Sequence, residues 1–471
     1  MDLLSLLLLL LRLSSGQAQQ VGTQTDENPV PFSIKDCGSD ADCQPTQGGL
    51  TIDANWRWTH KTDSNQNCYT GNTWDSTICS SGDACAQNCA LDGAKYQETY
   101  GVAPSGQDGV TLKYVTKNEN GENYGSRLYL LDSSRDKYHM FKLKNRQFSF
   151  DVDVSQLPCG LNRALYFSAT PEDGGMSKSP NNKAGAKYGL GYCDAQCPRD
   201  IKWIDGKANS EGWQSGDANG GKGKMGSCCP EMDVWEANSI SQAFTPHTCH
   251  DATQTTCTDD QCGDGDGNRY KGLCDKDGCD FASYRWGAKD FYGKGMKVDS
   301  SQKFTVITQF VTQGNTDDGD LIQINRFYVQ NGQTIANAPV TIQNTKPTAS
   351  LTDDFCKATK AFTGDTDSFS DRGGLKSMGA AMDNGMVLVM SIWDDGEAKM
   401  QWLDGTYPPT KSADAPGVLR GTCDKDSGNP QSAHQSSPDA SVTFSNVKIG
   451  AIDQTLGGDG SGSPHRQYCR T

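Results

Sequence analysis

Nineteen cysteines constrain what this chain of 471 residues can become more than any other feature. In an exported protein that many thiols mean disulfides before they mean metal, and the odd count leaves at least one unpaired. Export is the expectation: Leu3 to Leu13 is the one long apolar run, broken by Ser5 and Arg12, too short to span a bilayer, and followed by Ser14-Ser15-Gly16-Gln17-Ala18 as a signal peptide ends. Residues 1–18 are read as that signal, leaving a secreted, extracellular chain that starts at Gln19. Cys469, in a Gly/Ser-rich tail over 456–471, is the expected leftover thiol. Cys193-x-x-x-Cys197 with Cys228-Cys229 offers a four-thiolate zinc site as the alternative, disfavoured because adjacent residues of a strand point to opposite faces.

The chain carries 58 acidic and 43 basic side chains, a net charge of -15, and is only 35% hydrophobic. That charge repels phosphate backbones and anionic lipid, which argues against nucleic acid and membrane as partners and for a neutral or cationic ligand.

Short alternating runs separated by Gly, Asn, Asp and Pro recur along the chain, the mark of strands and turns. Phe148, Phe150, Val152 and Val154 alternate strictly. Phe304, Val306 and Phe310 share one face of Phe304 to Val311, with Ile307 and Val311 on the other. Met386 to Trp393 is apolar nearly throughout, as a strand covered on both faces would be. Val442 to Ile449 slips by one residue between Phe444 and Val447, as a bulge produces. No long helical period competes and no internal repeat or second module is visible, so one large antiparallel, all-β domain over 19–455 is expected.

The segment Glu231-Met-Asp233-Val-Trp-Glu236-Ala-Asn-Ser carries three carboxylates within six residues. On a strand Glu231 and Asp233 share a face, so one can hold a proton while the other is ionised. Glu236 has the wrong parity and lies about 16 Å from Glu231 along an ideal strand, so a bend or bulge must bring it round. Two carboxyls about 5 to 5.5 Å apart are what retaining glycoside hydrolysis uses. A solvated acidic strand is the plainer alternative. Tryptophans in polar contexts shift the balance: Trp56 and Trp58 beside Asn55 and Arg57, Trp393 beside Asp394, and Trp402 beside Asp404 are flat indoles suited to sugar rings. Trp74, Trp203, Trp213 and Trp286 read as core.

These residues, with Ile52-Asp-Ala-Asn-Trp56-Arg-Trp58-Thr-His, Lys187-Tyr-Gly-Leu-Gly-Tyr192-Cys-Asp194-Ala-Gln196-Cys-Pro-Arg-Asp and Met386-Val-Leu-Val-Met-Ser-Ile-Trp393, resemble glycoside hydrolase family 7 from about Gln19 to Ile452. Within it the chain is most similar to the reducing-end cellobiohydrolases, because the segments 200–227 and 249–292 are long where the family's endoglucanases are short. The resemblance implies a concanavalin-like jelly-roll β-sandwich whose long, disulfide-tied loops roof a substrate tunnel. It implies a cellulase that releases cellobiose from reducing chain ends, with cellulose chains and cello-oligosaccharides as partners, no cofactor and a monomeric state. An open-cleft endo-β-1,4-glucanase of the same family and a non-catalytic cello-oligosaccharide lectin are the alternatives.

Carried over by position, the resemblance implies Glu231 as nucleophile, Glu236 as acid/base and Asp233 as modulator of the nucleophile's protonation. It implies sugar platforms at Trp58, Trp56, Trp393 and Trp402. Polar contacts would come from Arg127, Asn162, Tyr166, Tyr192, Asp194, Gln196, Lys202 and His247, and on the product side from Arg269, Asp277, Asp280, Arg285, Tyr407 and Arg420. The implied disulfides are Cys37–Cys43, Cys68–Cys89, Cys79–Cys85, Cys159–Cys423, Cys193–Cys229, Cys197–Cys228, Cys249–Cys274, Cys257–Cys262 and Cys279–Cys356. A tenth bridge common in the family is replaced here by Gly22 and Ala90. His247 and His250 form an H-x-x-H pair without the Glu of a zinc signature.

Two departures from the family bear on mechanism. Tyrosines often tip two opposing tunnel loops, whereas this chain has Gly263-Asp-Gly-Asp-Gly267 and Asp395-Gly-Glu397. Glycine-rich tips with facing acids predict a lid that opens readily, with lower processivity and more internal cuts, and Asp264 to Asp266 is a candidate calcium loop. The sequence has no Asn-x-Ser/Thr sequon and no cellulose-binding module, so solubility is expected to rest on charge.

Overall fold

The computed structural model describes residues 19–38, 43–216, 220–265 and 267–453. The expected signal segment, Asp266 and Cys469 lie outside the described residues. A 15-stranded sheet dominates, its main path running Gln242–His247, Glu231–Ala237, Leu161–Ser168, Met386–Asp394, Ser126–Leu131, Cys43–Ile52, Val30–Cys37, Ser441–Ala451, Arg146–Asp153, Phe304–Thr312, Leu321–Gln330 and Gln333–Ala336. Neighbours on this path are antiparallel except Val30–Cys37 against Ser441–Ala451, which is parallel.

The path folds back on itself into two layers. Phe148 of the rear layer meets Phe167 of the front layer with ring centroids 4.9 Å apart, and Trp235 of the front meets Phe304 of the rear at 5.7 Å. The antiparallel β domain expected from the alternation is therefore the fold, in the sandwich form that the resemblance implies. Phe148, Phe150 and Val152 point between the layers, as do Phe304, Val306 and Phe310. Met386–Asp394 is covered on both sides: Met386, Leu388, Met390 and Ile392 enter the central core, while Val387 and Val389 join a second cluster with Tyr129, Ala164, Tyr166 and Tyr192 on the outer face of the front layer. That outer face is the floor of the site.

The predicted slip near Phe444 is a bulge. Against Arg146–Asp153 the register jumps from Ser149↔Lys448 to Asp151↔Ser445, and Asn446 takes a positive φ of 53°. Two helices of 11 residues, Asp353–Thr363 and Gly374–Asn384, depart from the expected all-β pattern. Their legible marks are terminal. Thr352 caps the first by accepting from Phe355 N at 3.2 Å, Asp353 and Asp354 occupy its first turn, and Gly364 ends it in the left-handed region. The second helix packs close to Leu321–Gln330 at Gly379, where a Cβ would sit 3.0 Å from that of Leu321.

All nine implied disulfides are present. The four thiols of the alternative zinc site are thus committed to Cys193–Cys229 and Cys197–Cys228. Trp74, Trp203 and Trp286 are buried as expected, whereas Trp213 is half-buried at the edge of its cluster.

Candidate active site

The strand Glu231–Ala237 places all three carboxyls on the outer face by breaking its own alternation. Against Leu161–Ser168 the pairing passes from Tyr166↔Asp233 to Leu165↔Trp235, and against Gln242–His247 from Asp233↔Thr245 to Glu236↔Ala243. One extra residue is thereby inserted, and Val234 and Trp235 both enter the central core. Glu231, Asp233 and Glu236 then face outward together. The bulge that the parity of Glu236 demands is the one observed.

Burial dominates the electrostatics. It pushes the Glu231 carboxyl well above the ordinary range, with the charges of Asp233, Asp194 and Glu236 adding to it. Burial and then Asp233 raise Glu236 to about 8, against the opposing pull of His247 and of the Asn162 amide, which donates to Glu236 Oε1 at 2.9 Å. His247 Nε2 lies 3.1 Å from Asp233 Oδ2, and its Nδ1 is 2.9 Å from the Asp275 carbonyl. A carbonyl can only accept, so Nδ1 carries a proton. Burial opposes a charge on His247, but the hydrogen bond and charge of Asp233, with Asp275, outweigh it and raise its pKa to about 9. His250 is exposed. The H-x-x-H spacing therefore does not make a metal pair; His247 serves the carboxylates.

The loop Tyr192 to Cys197 crosses this face and is stapled to the residues just before Glu231 by Cys193–Cys229 and Cys197–Cys228. Cys229 N donates to the Asp194 carbonyl at 3.1 Å, and Ala195 N donates to Glu231 Oε2 at 3.2 Å. Tyr192 donates to Asp194 Oδ2 at 2.7 Å, and its hydroxyl is 2.7 Å from that of Tyr166. Burial raises the pKa of Asp194 as well. Gln196 donates from Nε2 to the Lys276 carbonyl at 2.8 Å.

The remaining predicted binding residues fall into three groups. Arg127 lies over the Tyr192 ring, 3.6 Å from its centroid, and 5.6 Å from that of Trp56. Its Nε donates to Asp53 Oδ2 at 2.9 Å. Lys202 donates to the Asn55 carbonyl at 2.6 Å, and burial lowers its pKa to about 8 against the pull of Asp53 and Asp200. Trp58 stands at the edge of this group, donating to Asn67 Oδ1 at 2.7 Å with its ring against His60.

Trp393 and Trp402 are half-buried and stacked, with centroids 6.1 Å apart and planes 28° from parallel. Beyond Trp402, the Arg285 guanidinium is paired with Asp280, while Arg420 Nη1 lies 3.9 Å from Asp280 Oδ2 and its guanidinium 5.7 Å from the Tyr407 ring centroid. Burial and the neighbouring Arg285 lower Arg420 to about 10. Arg269 pairs with Asp277 at 2.6 Å. Asp53, Lys276 and Asp275 belong to the same networks and are not among the residues the sequence singles out. Of these, only Asp53 carried a signal, as an Asx residue two before Asn55, whose N donates to Asp53 Oδ1 at 2.6 Å.

At the two loop tips, Asp264 and Asp395 each have partners of their own. Asp264 is held by Lys276 at 2.8 Å, Lys222 at 3.1 Å and Arg199 at 3.4 Å, and despite burial the two lysines keep its carboxyl below the usual range. Asp395 turns onto its own loop, accepting from Glu397 N at 3.0 Å, Ala398 N at 2.9 Å and Trp402 Nε1 at 3.0 Å. Cations satisfy Asp264 and amide and indole N–H groups satisfy Asp395. The candidate calcium ligand Asp264 is occupied in the same way.

The sequence model of one family, Glycosyl hydrolase family 7, matches residues 21–456. A crystal structure of a cellobiohydrolase of that family from Daphnia pulex is 50% identical, with a TM-score of 0.90 over 92% of this chain and 99% of that one. The cellobiohydrolase from Melanocarpus albomyces complexed with cellotetraose is 44% identical, with a TM-score of 0.87 over 92% and 99%. The endocellulase EGI of Humicola insolens is more distant, at 33% identity and a TM-score of 0.78 over 93% and 100%. The chain belongs to glycosyl hydrolase family 7.

Two outcomes follow from these electrostatics. A carboxyl whose pKa is raised on folding holds its proton more tightly in the folded state, so its contribution to stability is whole below the unfolded value of 4.5 and is lost as pH rises through about 8. Glu236→Gln should therefore melt at the parent's temperature at pH 4 and several degrees above it at pH 8, as read by calorimetry. Asp264→Asn releases three cations at once and should speed limited proteolysis within 259–267 by about tenfold, through easier local opening.

Proposed function

We propose that this protein is a secreted cellobiohydrolase that cleaves the β-1,4-glucosidic bonds of cellulose with retention of configuration and releases cellobiose from reducing chain ends. The observation that carries the reading is the bulged strand, which gathers Glu231, Asp233 and Glu236 on one face in environments that differ. Glu236, raised to about 8, is protonated at neutral pH and suited to act as acid. Glu231 accepts from Ala195 N, a bond that favours its carboxylate against the burial that raises its pKa, and His247 Nε2 lies 3.1 Å from Asp233 Oδ2 beside it.

In the first step a Glu231 oxygen forms a bond to the anomeric carbon as the bond to the leaving oxygen breaks, and Glu236 gives its proton to that oxygen. In the second, Glu236 takes a proton from water, the water oxygen bonds to the anomeric carbon, and the ester to Glu231 breaks. Trp56, Trp58, Trp393 and Trp402 supply flat faces for successive sugars, and Arg285, Arg420 and Asp280 supply polar contacts for the product. The greater identity to cellobiohydrolases than to an endocellulase favours exo action over the open-cleft alternative. A lectin would have no use for three convergent buried carboxyls. Nine disulfides accord with an oxidising, extracellular setting, and a monomer suffices, since one chain contributes every site residue.

Swollen cellulose incubated with the protein should yield cellobiose as the dominant soluble product on chromatography. A spread of longer oligosaccharides, with rapid viscosity loss on soluble cellulose derivatives, would indicate an endoglucanase instead. Glu231→Gln should lower turnover by about a thousandfold or more while cello-oligosaccharide binding persists; appreciable residual turnover would reject Glu231 as nucleophile.

A further inference from the structure

Arg326 lies in the rear layer on the strand Leu321–Gln330, yet its side chain is 1% exposed and reaches through the core to the catalytic strand. Its Nη2 donates to the carbonyl of Val234, and its guanidinium sits 4.4 Å from the centroid of the Phe244 ring. Val234 is the extra residue of the bulge: the pairing with Leu161–Ser168 passes from Asp233 directly to Trp235. Phe244 lies opposite the same bulge on the other flank, between Ala243 and Thr245. The guanidinium thus sits behind the point where the catalytic strand changes parity. Among the described residues no carboxylate forms an ion pair with it, and burial lowers its pKa. A buried cation without a counter-charge is costly, and an apolar side chain of similar volume would fill the space at lower cost. What Arg326 adds is a directed donor for a carbonyl that the insertion removes from the regular ladder.

We propose that Arg326 is a positioning residue for the catalytic carboxyls. By holding the Val234 carbonyl from the opposite layer, it fixes the bulge in the one arrangement that puts Glu236 beside Glu231 and Asp233. This rests on the glycosidase reading above. Arg326 touches no sugar; it acts through the backbone between Asp233 and Glu236, so its loss alters where the acid stands and leaves the tryptophan platforms untouched.

The test compares the parent with Arg326→Met, which keeps the volume, and Arg326→Lys, which keeps a cation and donor. The readouts are hydrolysis of an aryl β-cellobioside across pH and cellobiose binding by tryptophan fluorescence. For Arg326→Met, kcat should fall about 10- to 100-fold while KM and cellobiose affinity stay within about twofold, because misplacing a reacting group is paid in turnover. The alkaline limb of its rate profile should move by about half a pH unit or more as the spacing of Glu236 from Asp233 changes. Arg326→Lys should recover part of kcat. A folded Arg326→Met with kcat and alkaline limb unchanged overturns the proposal. If that variant does not fold, Arg326→Lys carries the same test: a reduced kcat with a moved limb supports it, and unchanged values overturn it. Loss of the fold in both also overturns it, by making Arg326 a determinant of the sandwich. An inactive parent would instead reject the glycosidase reading.

Discussion

Val234 and Trp235 enter the core side by side, and the site depends on that consecutive burial. The indole of Trp235 packs against Phe150, Tyr292, Phe304 and Tyr328, all from elements of the rear layer or its flanks. A regular strand would have sent one of the two residues outward and Glu236 inward, burying a carboxyl among aromatic rings. Hydrophobic packing on one side of the sheet therefore decides the chemistry available on the other.

The same coupling holds for the loop above the floor. Tyr192 to Cys197 contributes one backbone amide to Glu231 and the Asp194 carboxylate to a chain of hydroxyls ending at Tyr166. A loop free to move would place neither. Two disulfides from the adjacent Cys228 and Cys229 anchor it on both sides of Ala195, with a backbone bond from Cys229 to Asp194 between them. These bridges serve the geometry of the site as much as stability, because they tie the loop to the entry of the strand that carries the three carboxyls.

The surplus negative charge of the chain is not spread evenly through the site. Acidic groups concentrate at the carboxyl triad, where burial raises the pKa of Glu231 and Glu236, while cations gather at Asp264 and Asp280, and Arg127 pairs with Asp53. Glycine-rich tips alone would suggest a loose roof. The three cations on Asp264 and the three donors to Asp395 give both tips fixed anchors, which a reading of loop composition does not weigh.

Much was legible in the sequence because its signals are local or cumulative. Strict alternation around Phe148 and Phe304, the apolar run at Met386 and the slip at Phe444 each report the face a strand presents, and the density of carboxyls at Glu231 to Glu236 marks the site. Parity alone required the bulge. The two helices were less visible, since 11 residues give a weak period and their caps are single residues. Tertiary structure alone decided which layer reaches the bulge, that His247 serves Asp233 and not His250, and that Asp264 meets three cations drawn from residues 199, 222 and 276. Those pairings join residues far apart in the chain, and no local pattern encodes a partner that only folding brings within a few ångströms.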